Sequence, residues 1–225
     1  MIFLMEINSD TKLYGSFSVK AGNLGCKLFN EAFQYCKINA IYKSFSVSSI
    51  KEAVEAARTL NFAAFAVSMP YKIDVLNYVD YVSEECLIIG AANTIIKIDE
   101  NYPIYKAYNT DIYAADLALK TAIKSGFNKL YVLGNGGYSK AIQYAAKKIN
   151  LDVIIISRSN WNDRLIIDNS IVYNCTPVEN IEKDLLFTNY FIDCVTTTNW
   201  GKKLSMWQAS KQFEMYSGQK YPFEI

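Results

Sequence analysis

Short runs of apolar, β-branched residues separated by helical stretches constrain this chain more than any other feature. Residues 130–133, 153–157, 170–175 and 190–195 are strand-length and rich in Val, Ile, Leu and Tyr. A strand that is apolar on both faces needs cover on both, and helices that connect parallel strands supply it. Residues 13–18, 40–47 and 62–69 also read as strands, with helices over 22–37 and from Ser48 to Leu60 between them. Ser48 is the expected cap of the second helix, and Pro70 is expected to open a short helix over 73–79. Residues 93–98 and 104–108 look like a strand pair, and 112–124 and 204–216 like helices. The expected fold class is α/β, in two lobes with a cleft between them and a boundary near Asp111 to Tyr113.

The 225 residues suffice to bury a core without disulfide or metal staples. Lys and Arg number 23 against 22 Asp and Glu, so no net charge draws the chain toward nucleic acid or an anionic membrane. Histidine is absent. That excludes Ser-His-Asp and Cys-His nucleophile systems and His-ligated metals, and no metal site is expected. Acid–base chemistry must then fall to Lys, Asp, Glu, Tyr or Cys. Five cysteines with no C-x-x-C spacing fit a reducing compartment. The opening residues 1–6 lack a basic region and their apolar run is too short for a signal peptide. No apolar stretch approaches the roughly 20 residues of a membrane span. A cytoplasmic location is the expectation.

The strand at 130–133 runs into Gly134-Asn135-Gly136-Gly137 and then a helical stretch. Strand, glycine turn and helix start form a dinucleotide-binding arrangement, because the turn brings a pyrophosphate to the positive end of the helix. The second lobe is therefore expected to be Rossmann-like, with a doubly wound parallel sheet. The third glycine of G-x-G-x-x-G is replaced by Ser139, and a turn without ligand is the alternative. The next strand ends in Ser157-Arg158-Ser159, with no carboxylate to bind ribose hydroxyls. An arginine flanked by two hydroxyls suits the extra phosphate of NADP, the expected cofactor; a plain surface arginine is the other reading.

In the first lobe, polar residues stand at the ends of apolar strands: Ser68 to Lys72, Asn93-Thr94, and Asn109-Thr110-Asp111. Lys72 and Asp111 are the Lys/Asp pair that two such strand ends would bring to the cleft. A lysine beside a carboxylate can relay a proton when a hydroxyl is oxidised, and it can equally be a structural salt bridge.

Taken together these segments resemble the shikimate dehydrogenases. The family's Asn-Val-Thr-x-Pro-x-Lys stands here as Ala66-Val67-Ser68-Met69-Pro70-Tyr71-Lys72, and its Gly-Ala-x-Asn-Thr as Gly90-Ala91-Ala92-Asn93-Thr94. Asn109-Thr110-Asp111, Gly134 to Ala141, Ser157-Arg158-Ser159, Asn174-Cys175-Thr176-Pro177 and Met206-Trp207-Gln208-Ala209 follow in the family's order. The resemblance implies a substrate lobe over 1–112, a dinucleotide lobe over 113–202, and a C-terminal helix in 203–225 that packs back on the first lobe. It implies Lys72 and Asp111 as the catalytic pair, and Ser68, Asn93 and Gln208 as substrate contacts. Gly134, Asn135, Gly136, Gly137, Ser157, Arg158, Ser159 and Thr176 would hold NADP.

The departures are as specific. The family's Ser-x-Ser, which holds the substrate carboxylate, aligns with Asn23 and Gly25, while Ser16-Phe17-Ser18 lies seven residues earlier. Ser16, Ser18 and Asn23 are therefore candidate substrate contacts, as in the divergent shikimate-dehydrogenase-like branch. Ala66 replaces an asparagine, and the stretch between Asp193 and Met206 is shorter than the family's. The implied activity is NADP-dependent reduction of 3-dehydroshikimate to shikimate, or the same reaction on a similar cyclic hydroxy acid such as quinate or aminoshikimate. A non-catalytic NADP- or metabolite-binding protein on this scaffold is the reading from another class. The expected partner is a small molecule, with no nucleic acid and no membrane, and the expected state is monomer or homodimer.

Overall fold

The computed structural model describes residues 6–224; the opening residues 1–5, read above as carrying no leader, lie outside them. Residues up to Thr110, joined by those from Ala209 onward, form one compact unit, and Asp111–Gln208 forms the other.

The first unit is built on a six-stranded sheet, β1 (Lys12–Ser18), β2 (Ala40–Ser46), β3 (Ala64–Val67), β4 (Tyr81–Val82), β5 (Thr94–Lys97) and β6 (Tyr105–Tyr108). Their order across the sheet is β2-β1-β3-β5-β6-β4. β1 pairs in parallel with β2 and β3, but β5 runs antiparallel to both β3 and β6. This sheet is thus mixed, where strand–helix alternation implies a parallel one. Between β5 and β6 stands the turn that begins at Asp99, whose carboxylate accepts from the N–H groups of Asn101 and Tyr102. So short a connection can only reverse the chain.

Helices α1 (Leu24–Tyr35) and α2 (Ile50–Thr59) serve opposite faces of this sheet. Phe29, Ala32 and Phe33 of α1 pack with Tyr14, Tyr42 and Ala64. Ile50, Ala53, Val54 and Ala57 of α2 pack with Phe17, Phe65 and Ile95. Alternation along β1 explains the split: Tyr14 points to one face and Phe17 to the other. The cap of α2 is Ser49 rather than Ser48; its side chain accepts from Glu52 N at 3.3 Å. Pro70 follows a cis peptide and opens no helix; a single 3-10 turn, Asp74–Asn77, comes four residues later. A short helix, α3 (Glu84–Ile89), is capped by Ser83 and stopped by Gly90 in the left-handed region. At six residues it is too brief for sequence periodicity to show.

The second unit holds α4 (Asp111–Lys124), β7 (Leu130–Leu133), α5 (Gly137–Lys148), β8 (Val153–Ile156), β9 (Ile171–Asn174) and β10 (Tyr190–Asp193). All pairings in its four-stranded sheet are parallel, in the order β10-β9-β7-β8. The order reverses at β7, the doubly wound pattern, and ligands of such sheets bind beyond the carboxyl ends of the strands at that switch. Ala114, Ala115, Ala118 and Ala122 of α4 and Ala145 and Ala146 of α5 form a core with Leu130, Val132, Ile171 and Ile192. Small residues on the two helices let them approach closely.

The last helix, α6 (Asn199–Ser217), begins before the expected Leu204. Its first half, with Leu204, Trp200 and Trp207, belongs to the second unit's core, and Ala209, Phe213 and Tyr216 to the first unit's. Trp200 meets Tyr190 and Trp207 edge-on, so it is a packing residue. No helix among the described residues is long and apolar enough to cross a membrane.

Candidate functional site

In the first unit, backbone hydrogen bonds gather the polar residues at one end of the sheet. Ser68 N donates to Phe17 O at 3.0 Å, which sets Ser68 beside the end of β1 that carries Ser16 and Ser18. Val67 N donates to Asn93 O at 2.8 Å, and Ala92 N donates to Lys72 O at 2.7 Å. Asn93 N in turn donates to Tyr108 O at 3.1 Å. Ser16, Ser18, Ser68, Lys72, Asn93 and Thr110 therefore share one sheet end because parallel β1 and β3 finish there, antiparallel β5 starts there and β6 ends there.

These side chains differ in availability. Ser68 is exposed, Lys72 and Ser16 are half-buried, and Ser18 is nearly buried. Burial pushes the Tyr42 phenol well up from its ordinary value, opposed by a hydrogen bond with Ser16. Ser16 is thus already engaged, and Ser44, its neighbour on β2, accepts from the Cys26 thiol at 3.4 Å. Asn23 sits exposed at the start of α1 and makes no side-chain cap bond.

Asn93 is the most constrained residue of the set, 1% exposed. Its Oδ1 accepts from Thr110 N at 2.8 Å and from Thr94 Oγ1 at 2.7 Å, while its Nδ2 donates to Thr110 Oγ1 at 3.1 Å. Asn109 Nδ2 donates to Ala91 O at 3.0 Å and anchors the same segment. Sequence reasoning missed one member. Gln212, one turn beyond Gln208 on α6, donates from Nε2 to Thr94 Oγ1 at 2.9 Å and to Asn93 O at 3.3 Å. Gln208 itself is half-buried and falls with the second unit.

In the second unit, Asp111 is fully buried as the first residue of α4. Tyr138, in the first turn of α5, shares a 3.0 Å hydrogen bond with Tyr173 of β9. Burial holds both phenols well above their ordinary value, and the nearby Asp111 charge pushes both the same way. The one signal for this pair in the sequence is Tyr138 itself, directly after the glycine turn.

The glycine turn fits a pyrophosphate on the structure's own terms. Gly134 has φ +101°, and a β-carbon there would meet Thr176 Cγ2 at 2.9 Å. Gly136 faces open space and caps α5 with no side chain, which leaves the first amides of a 12-residue helix without a side-chain acceptor from the cap. Asn135 is exposed beside them. Thr176 is fixed by buried Asn174, whose Oδ1 accepts from Thr176 N at 2.9 Å and Thr176 Oγ1 at 2.7 Å. Asn174 Nδ2 donates to Asp193 Oδ1 at 2.9 Å, tying β9 to β10. At the tip of β8, Arg158 is exposed, and Ser157 and Ser159 share a 2.9 Å hydroxyl contact. No carboxylate belongs to that tip, so an extra phosphate on the ribose would meet a cation and hydroxyls. Among the described residues no group of His, Cys, Asp and Glu could hold a metal ion.

Residues 23–95 match the shikimate dehydrogenase substrate binding domain. The chain is 35% identical over 163 residues to the NADP(+) shikimate dehydrogenase of Caldanaerobacter subterraneus, covering 70% of this chain and 57% of that protein. It is 36% identical over 158 residues to that of Sulfolobus acidocaldarius, covering 69% and 57%. The chain thus spans little more than half the length of these curated relatives. A solved structure of a shikimate 5-dehydrogenase-like protein superposes with a TM-score of 0.81 at 26% identity, over 97% of this chain and 96% of the other.

Proposed function

Because this chain belongs to the shikimate dehydrogenase family, we propose that it is an NADP-dependent oxidoreductase that interconverts 3-dehydroshikimate and shikimate, or a similar cyclic keto and hydroxy acid. The observation that carries this reading is the set of backbone bonds that gathers Ser68, Lys72 and Asn93 at one sheet end. The glycine turn at 134–137 and Arg158 would hold NADPH, whose chemistry there would be hydride donation to the substrate carbonyl carbon. Lys72 gives the proton that the developing alkoxide needs, and takes it back in the oxidative direction. Asp111 is the second member of the proposed catalytic pair, with its carboxylate assigned to orienting the lysine. In a chain with no histidine, a lysine–aspartate pair is well suited to this task.

Asn93, Ser68 and Gln208 read the ring hydroxyls, and Ser16, Ser18 and Asn23 the carboxylate end. A site that hydrogen-bonds a substrate hydroxyl discriminates strongly against an analogue without it, because its own buried groups would be left unpaired. Gly134, Asn135, Gly136 and Gly137 hold the pyrophosphate, Thr176 lines the same turn, and Arg158 with Ser157 and Ser159 holds the 2′-phosphate. The small-molecule substrate and a cytoplasmic setting belong to the same reading.

The test is nicotinamide absorbance with NADP and shikimate, run beside NAD and quinate. Turnover with NADP and shikimate, lost in Lys72→Met while NADPH affinity is kept, supports the reading. A Lys72→Met protein as active as wild type removes Lys72 from its role. Binding of NADPH without turnover on any cyclic hydroxy acid transfers the reading to a non-catalytic binder. That alternative is favoured by the four-stranded second sheet, in which β10 passes through only residues 194–198 into α6.

A further inference from the structure

We infer that Gln212 is a positioning residue for the reaction proposed above: it sets the hydrogen-bond polarity of the Asn93–Thr94–Thr110 cluster from which Asn93 meets substrate and Asp111 begins its helix. The inference rests on that reading for its catalytic consequence.

The four residues are all buried, at 2% exposure or less. Donors and acceptors in such a cluster can be counted. The Gln212 amide nitrogen can only donate, and it donates to Thr94 Oγ1 at 2.9 Å. The Thr94 hydroxyl has one proton, and Asn93 Oδ1 at 2.7 Å is the nearer acceptor for it than Thr110 Oγ1 at 3.2 Å. Asn93 Oδ1 also receives the Thr110 backbone N–H at 2.8 Å. With these donors, and the Thr110 hydroxyl at 3.2 Å, on the oxygen side, Asn93 keeps its Nδ2 as the donating side, and Thr110 Oγ1 accepts from it at 3.1 Å. The second Gln212 bond, to Asn93 O at 3.3 Å, joins the one from Val67 N and completes that carbonyl's two acceptor positions. One side chain on α6, more than a hundred residues away in sequence, therefore contacts Asn93 and Thr94, whose bonds to Thr110 reach the residue before Asp111.

A glutamate at this position keeps the shape and reverses the polarity. An ionised carboxylate accepts, so Thr94 turns its proton toward residue 212 and Asn93 Oδ1 loses a donor. The carboxylate would also face the Asn93 carbonyl. A protonated carboxyl has an O–H to donate and restores the original sense. Burial raises a carboxyl's pKa, which brings that restoration into an accessible range.

The experiment measures kcat and KM for the keto acid with Gln212→Glu and Gln212→Leu across pH, together with NADPH affinity and Tm. The positioning role predicts a fall in kcat/KM of at least tenfold for both variants above neutral pH, with NADPH affinity unchanged. For Gln212→Glu the deficit relative to wild type shrinks as pH falls; for Gln212→Leu it does not. A role confined to stability would lower Tm and leave kcat/KM of the folded protein within twofold of wild type, which would overturn the inference. If Gln212→Leu fails to fold, the pH profile of Gln212→Glu decides alone. If wild type turns over no substrate, the functional reading fails separately. Amide exchange at Thr110 then decides for the cluster: exchange at least tenfold faster in Gln212→Glu above neutral pH supports the ordering role, and an unchanged rate overturns it.

Discussion

Gly134 and Thr176 approach so closely that a β-carbon on Gly134 would lie 2.9 Å from Thr176 Cγ2. The contact joins the end of β7 to the loop after β9, where Cys175 N also donates to Leu133 O at 2.9 Å. Two separate constraints therefore demand glycine: the contact itself, and a φ of +101° that L side chains rarely adopt. Gly134→Ala should cost about 2 kcal/mol in urea unfolding, the middle of the range for a residue held in such a region. NADPH affinity should fall with it. Adding Thr176→Ser removes the methyl but not the backbone strain, so the double variant should recover part of the loss. Full recovery would show that the contact alone matters.

Acid should remove one specific contribution to stability. Burial tends to raise the Asp80 carboxyl, but the Arg58 guanidinium at 2.8 Å and the Tyr105 N–H at 2.7 Å outweigh it and hold the pKa below its ordinary value. A carboxyl with a depressed folded-state pKa contributes stability that is fully present above its unfolded value and is lost as pH falls through the folded one. Asp80→Asn should therefore be less stable than wild type at pH 7. The gap should close below about pH 4, the ordinary range for this side chain. Urea titrations at neutral and acid pH check this; a gap independent of pH would assign the effect to packing.

One buried group is poorly served. The Tyr216 hydroxyl has no hydrogen-bond partner among the described residues, though its ring stacks on Tyr14 at 5.4 Å and meets Phe29 at 5.6 Å. Tyr14 donates its own hydroxyl to the Tyr216 backbone carbonyl at 3.3 Å, a bond that does not need the Tyr216 phenol. Tyr216→Phe keeps the ring and removes a desolvated oxygen. It should stabilise the protein by about 1 kcal/mol, read as a rise in Tm of about 2–4 °C for a chain of this size. A fall in Tm would mean that the hydroxyl has a partner after all.

Much of the architecture was legible in the residues because it rests on local physics. Continuous apolar runs at 130–133 and 153–156 favour parallel strands, and both are found in the second sheet, although β8 lies at its edge and leaves Ile154 exposed. The glycine turn could be read because its chemistry is contiguous: strand, turn and helix start lie within a dozen residues. Ser48 was one residue away from the true cap, Ser49, because two adjacent serines satisfy the same local preference and the backbone chooses between them. The short α3 and two-residue β4 fell below the length at which a period is visible.

By itself, then, the sequence determined the class of fold, the glycine-rich turn, the absence of histidine chemistry and the candidate residues at the strand ends. These depend on residue type and on neighbours a few positions away. Only the tertiary structure decided that β5 and β6 reverse direction within a mixed sheet, and that Arg58 closes on Asp80 22 residues onward. It alone brought Gln212 to Asn93. The physical reason is the same in each case. A buried polar group must find a partner, and which partner it finds depends on strand order and helix placement, which no local period encodes.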